Sequence, residues 1–306
     1  MQNSTLILWC FLDGKPGHQK QSFGLIQGLQ AERQVKVEYI PLPGSTWKNL
    51  KQTLTLCAKL ANTARPHLLI GTGHACHLPI LLARQRHGGR AIVLMKPSLP
   101  NCFFDFVLIP KHDQPNENQR VIATEGALSP VTQGVKKSDA ALILIGGPDK
   151  RVMWNTKQLW QQITTLCSAQ PTQQWQLSTS RRTPDDFIQL APALPNLNVL
   201  RWQDCPPDWL QNQLAQASQC WVTQDSVSML YEALSAHCAV GILELATRHD
   251  NKISRNLTRL LAEGVVTSFT QWSKNQTLPI QPQALAEHQR CAQLILSRCP
   301  ELNGRR

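Results

Sequence analysis

Asp13-Gly14-Lys15-Pro16-Gly17-His18 sets a carboxylate and an imidazole five residues apart, directly after the apolar run Leu6–Leu12. An imidazole can take a proton from a hydroxyl near neutral pH, and a nearby carboxylate can orient it or serve as the base itself. A second polar cluster, Thr223-Gln224-Asp225-Ser226-Val227-Ser228-Met229, ends another apolar run and opens a helix-like stretch. Hydroxyls and free N–H groups at a helix start suit an anion. Glu232, six residues after Ser226, suits a ribose diol. Gly146-Gly147-Pro148-Asp149-Lys150 and Ser180-Arg181-Arg182-Thr183-Pro184 also follow apolar runs, and the paired arginines fit a diphosphate. In the first half, the turn Gly71-Thr72-Gly73-His74 is shaped to receive a substrate, and Lys96, Ser98 and Lys111 suit a phosphorylated partner.

Several chemistries are disfavoured by what is missing. Gly71-Thr72-Gly73 lacks the third glycine and the downstream acid of a dinucleotide fingerprint, which argues against a nicotinamide enzyme. There is no Walker-type phosphate loop. His74, Cys76 and His77 are too closely spaced for a metal site and lack a carboxylate partner. No Asp-x-Asp pair is present to hold a metal–diphosphate, so no metal is expected.

These residues must be positioned by strands, because each cluster follows a short apolar run. Runs at Leu6–Leu12, Val35–Ile40, His67–Ile70, Ala91–Leu94 and Phe106–Ile109 alternate with helix-like stretches at Gln19–Gln30, Trp47–Ala61 and Leu78–Arg86. The second half repeats the pattern. Its runs are Ala141–Ile145, Trp175–Ser178, Asn198–Leu200, Cys220–Thr223 and Ala239–Leu243; its helices are Thr156–Cys167, Pro206–Ala217, Ser226–Ala236 and Asn251–Ala262. Buried strands separated by helices indicate parallel sheets covered on both faces. The polar stretch Ser129–Asp139 reads as a linker, giving one domain over 1–135 and another over 136–306. The last helix, Gln283–Leu296, could pack on either. The fold class is α/β: two doubly wound domains whose strand ends are expected to face each other across a cleft.

Composition narrows the partners. The 306 residues carry 31 Lys+Arg against 20 Asp+Glu, and residues 1–135 hold 14 of the bases with only 7 of the acids. The excess forms no block, so a nucleic-acid-binding tail is not expected, while phosphates or anionic lipid headgroups are. The ten cysteines lack any C-x-x-C pair, and most sit in apolar runs and read as small core residues. With no spanning segment and no basic leader before Asp13, a cytoplasmic chain is expected.

Taken in order, Asp13–His18, Gly71–Pro79, Lys96–Ser98, Gly146–Lys150, Ser180–Pro184 and Thr223–Glu232 resemble the bacterial branch of the mitochondrial-fission "elongated mitochondria" family. The resemblance implies a GT-B glycosyltransferase of lipopolysaccharide core synthesis, built from two Rossmann-like domains and using no cofactor beyond its nucleotide-sugar donor. It implies catalytic roles for His18 and Asp13. The donor segment would comprise Gly146, Gly147, Lys150, Ser180, Arg181, Arg182, Thr223, Asp225, Ser226, Ser228, Met229 and Glu232. Lys15, Gly17, Gly73, His74, Lys96, Ser98 and Lys111 would face a lipid-linked saccharide acceptor at the inner face of the inner membrane. The rival reading, drawn from the plant relatives, is a non-catalytic adaptor that recruits a dynamin-like partner to a membrane.

Overall fold

The computed structural model describes residues 5–42, 64–248 and 252–303. The expected helix Trp47–Ala61 and the first residue of the expected helix Asn251–Ala262 lie outside the described residues. The chain divides into two compact units, Met1–Pro130 with Ala286–Arg306, and Val131–Leu285.

In the first unit, β1 (Leu6–Leu12), β2 (Val35–Pro41), β3 (Leu68–Thr72), β4 (Arg90–Leu94), β5 (Phe106–Pro110) and β6 (Val121–Thr124) form one parallel sheet in the order β2-β1-β3-β4-β5-β6. Strand periodicity explains the two-sided burial. Leu6, Leu8 and Cys10 of β1 point to one face, with Ile70 and Leu108, under α1 (Pro16–Glu32). Trp9 and Phe11 point to the other, with Leu69 and Val93, under α2 (His77–His87). β6 was not expected from the sequence: only four residues long, it carries too little pattern to stand out.

The second unit holds β7 (Lys137–Leu144), the short β8 (Val152–Met153), α3 (Thr156–Ala169), β9 (Gln174–Ser178), α4 (Asp186–Gln189), β10 (Leu197–Leu200), α5 (Trp209–Gln216), β11 (Ala217–Thr223), α6 (Val227–Ser235), β12 (Ala239–Leu243), the short β13 (Ala246–Thr247), α7 (Lys252–Ala262), β14 (Thr267–Ser268) and α8 (Phe269–Asn275). Its main sheet is parallel in the order β10-β9-β7-β11-β12-β14, while β8 and β13 pair antiparallel. Counted from β7 without that pair, the order is 3-2-1-4-5-6, the doubly wound nucleotide-fold arrangement. Ile143, Trp175 and Trp221 fill one face with α3, and Leu142, Val222 and Ile242 fill the other with α6 and α7.

Packing decides where the last helix goes. α9 (Glu287–Arg298) places Cys291, Ala292, Ile295 and Leu296 in the same core as Leu25, Ile26 and Leu29 of α1. The Glu287 carboxylate also accepts the Glu125 N–H at 2.8 Å. The C-terminal helix therefore belongs to the first unit.

Candidate functional site

Doubly wound sheets bind ligands beyond their strand ends, where the strand order reverses. In the first unit that point lies between β1 and β3, the strands that lead into Asp13–His18 and Gly73–His77. The helix after β1 begins at Pro16, earlier than the expected Gln19, because proline's fixed φ suits the first helical position. His18 thus sits on the first turn of α1, not in a loop. A buried Ser22–Thr72 hydroxyl contact of 2.8 Å ties that helix to the end of β3.

His18 Nδ1 lies 2.7 Å from Asp13 Oδ2, and the Asp13 side chain is almost fully buried. The other Asp13 oxygen accepts the Lys15 N–H at 3.1 Å, closing the turn. A carboxylate only accepts, so Nδ1 carries the proton of this bond, and Nε2 is left as the basic nitrogen. Gly73 has φ +84°, and a Cβ there would lie 2.5 Å from His18 Cε1. Only glycine lets the imidazole lie against that turn.

The other residues of the first unit differ in what they can offer. Lys15, the N-cap of α1, is exposed, as are Gly17, His74, Lys96 and Ser98. Lys111 pairs with Glu125, so its charge is committed within the protein. Ser98 Oγ is 3.3 Å from Nδ1 of His77, a residue whose role the sequence did not reveal. His77 is buried against Phe104, and burial, reinforced by the His74 charge, pushes its pKa down to about 4. Cys76 is buried beside it, and burial raises its thiol to about 12, which fits a core role.

In the second unit the order reverses between β7 and β11, which lead into Gly146-Gly147 and Gln224–Ser226. The loops there are bound to one another. Gly146 N–H donates to Thr223 Oγ1 at 2.7 Å, and Gly147 N–H donates to Asp225 Oδ2 at 3.0 Å. A Cβ at Gly146 would lie 2.2 Å from Asp225 Oδ2, so the carboxylate fits only against glycine. Ser180 Oγ donates to Gly146 O at 2.8 Å, and Thr183, which the sequence did not single out, donates to Ile145 O at 3.1 Å.

This bonding redistributes the expected roles. Arg182 donates to Asp225 Oδ2 at 2.7 Å and to Gly147 O at 3.2 Å, so it anchors the loops and is not free to clamp a diphosphate. Arg181 is exposed and has no partner among the described residues. Lys150 is exposed beside Asp149, whose hydrogen bonds to Arg151 hold its carboxyl down at about 2. Ser226 is the N-cap of α6, but its side chain does not cap the first-turn amides of Val227, Ser228 and Met229. Ser228 is exposed and Met229 half-buried. Glu232, on the second turn of α6, is buried and accepts from Ser228 Oγ at 3.2 Å.

Among the described residues, no group of three or more His, Cys, Asp or Glu side chains could hold a metal ion. No described helix is long and apolar enough to cross a membrane.

The fold is similar to that of solved structures named as UDP-N-acetylglucosamine 2-epimerases. A UDP-N-acetylglucosamine 2-epimerase matches with TM-score 0.60 at 11% identity, over 97% of this chain and 96% of that one. The UDP-GlcNAc 2-epimerase from Neisseria meningitidis, solved bound to UDP-GlcNAc, matches with TM-score 0.57 at 10% identity, over 97% and 100%. At that identity the likeness shows the fold: α/β, two parallel-sheet domains of the GT-B type. No curated protein sequence matches the chain. The profile of one family, Mitochondrial fission ELM1, matches residues 16–299, nearly the whole length, and the chain belongs to that family.

Proposed function

We propose that the protein transfers a sugar from a nucleotide-sugar to a hydroxyl of a lipid-linked saccharide such as lipopolysaccharide core. The observation that carries this reading is the Asp13–His18 pair at the strand-order reversal of the first sheet, with Nε2 left basic. His18 Nε2 takes the proton of the acceptor hydroxyl while that oxygen attacks the anomeric carbon and the nucleoside diphosphate departs. The open amides of α6, its helix dipole and Arg181 take up the diphosphate charge, and Glu232 holds the ribose. In this reading no metal takes part, so chelators leave turnover unchanged.

The acceptor's lipid brings the protein to a membrane. The 14 basic against 7 acidic residues of 1–135 give a surface suited to reversible attachment at the inner face of the inner membrane. Vesicles containing anionic lipid should sediment the protein at low salt and release it at high salt, since exposed charges are screened beyond about 8–10 Å.

The deciding experiment is calorimetric titration with UDP, GDP, ADP and CMP, followed by incubation of the matching nucleotide-sugar with and without deacylated lipopolysaccharide core. Nucleotide binding and acceptor-dependent release of nucleotide support transfer. Conversion of the sugar without acceptor replaces transfer by epimerisation, and no binding of any nucleotide leaves the adaptor reading.

A further inference from the structure

Beyond the carboxyl ends of β9 and β10 lies a shallow hollow open to solvent. Thr179, Thr183, Asp185, Ile188, Arg201 and Trp202 are among the residues lining it. We propose that this hollow holds the base of the donor nucleotide and that its chemistry selects guanine. The inference rests on the nucleotide-sugar reading above.

Three observations carry it. First, the hollow shares a wall with the glycine turn, because Ser180 and Thr183 line the hollow and both hydroxyls hydrogen-bond the Gly146 carbonyl. A nucleotide with its phosphates near that turn therefore has a neighbouring recess for its base. Second, Trp202 is 40% exposed although tryptophan is usually buried, and its loop is tied by a 3.0 Å hydrogen bond from the Trp202 backbone N–H to the buried Thr179 hydroxyl. The bond holds the backbone, and the half-open indole it carries offers a face on which a planar base can stack. Third, Asp185 and Arg201 line the same hollow, yet neither side chain pairs with the other or with any described residue. Opposite charges left unspent in one recess suit a ligand with donors on one edge and acceptors on another.

Among the common bases, guanine matches both. Its N1–H and N2–H2 form a donor pair that a carboxylate can accept in bidentate fashion, and its O6 and N7 form the acceptor pair that arginine favours. Uracil offers a single N–H donor between two carbonyls, so it leaves the carboxylate half-used. Ile188 supplies apolar contact without altering that choice.

The test is titration of the full chain with GDP, UDP, ADP, CMP and pyrophosphate, repeated for Asp185→Asn and Trp202→Ala, with circular dichroism to show that each variant is folded. GDP should bind tighter than UDP by roughly ten- to a hundredfold, the scale of a bidentate pair. Asp185→Asn should remove most of that preference, while Trp202→Ala should weaken every nucleotide, and neither should affect pyrophosphate. UDP binding as tightly as GDP, or a preference unchanged in Asp185→Asn, would overturn the guanine assignment and leave the nucleotide-sugar reading standing. Absence of binding by all four nucleotides would remove that reading, and this assignment with it.

Discussion

His18 and Asp13 face each other at 2.7 Å, with the carboxylate buried and the imidazole partly open. The bond fixes which nitrogen carries the proton. Asp13→Asn keeps the shape but lets the amide N–H donate to Nδ1, which moves the proton to Nε2 and removes the base. Turnover with nucleotide-sugar and deacylated core should fall by roughly 10²–10⁴-fold, as in His18→Ala, while nucleotide affinity stays within a factor of a few. Nitrogen-15 shifts of the imidazole should report the changed tautomer directly. An unchanged tautomer combined with lost turnover would make Asp13 the base.

Gly73→Ala tests the same dyad from its other side. The position has φ +84°, a conformation that costs a non-glycine residue about 1–3 kcal/mol, and the new methyl would strike the imidazole. Both thermal stability and turnover should fall. His18→Ala made together with Gly73→Ala should be more stable than Gly73→Ala alone, because it removes the clash and leaves only the backbone strain.

His77 provides a pH signature. Its folded pKa of about 4 lies below the ordinary 6.5, so between these values the unfolded chain binds the extra proton. Stability from this group is complete above about pH 6.5 and is lost as pH falls toward 4, by up to about 3 kcal/mol. Burial lowers His67 and His288 as well, in the same sense. His77→Gln should therefore flatten the stability–pH slope in part. The His77 ring signals should not titrate at pH 6 in the wild type; titration there would refute its burial.

How far the site was legible in the sequence depends on the kind of interaction. Strand ends were readable because a period of two, with both faces buried, leaves runs such as Leu6–Leu12 that only a parallel sheet accounts for. The clusters after them followed at once. What each polar group spends its bonds on was not readable, because Arg182 meets Asp225 and Gly146 meets Thr223 only after the strands are ordered. Thr183 and His77 were hidden for the same reason. Their partners Ile145 and Ser98 are distant in sequence, and neither residue type announces the pairing. The destination of α9 was likewise set by tertiary packing against α1, not by any local pattern.

The two neighbouring arginines should separate cleanly. Arg182→Ala strands the buried Asp225 carboxylate and should cost about 3 kcal/mol of stability, the low end for such a loss because Arg182 is itself part-exposed. Arg181→Ala removes a side chain with no described partner and should leave stability within about 0.5 kcal/mol. It should weaken nucleoside diphosphate more than free nucleoside. Equal losses for the two ligands would show that Arg181 does not meet the phosphates.

Glu232 lies one turn after Ser228 on α6, and the 3.2 Å bond from Ser228 Oγ holds one of its oxygens in place. A ribose diol offers two hydroxyl donors, and a carboxylate can accept both. Glu232→Gln preserves the size of the side chain but replaces one accepting oxygen with a donating NH2. Nucleotide binding should weaken by about 1–3 kcal/mol, the scale for losing a charged hydrogen bond, or roughly 5- to 150-fold in Kd. The loss should be confined to the sugar. Wild-type protein should prefer ribonucleotides over 2′,3′-dideoxynucleotides, the Glu232→Gln variant should show little preference, and pyrophosphate should bind both proteins alike. A weakened pyrophosphate complex would instead mean that the substitution disturbs the start of α6, and Glu232 would then lose its claim to the ribose.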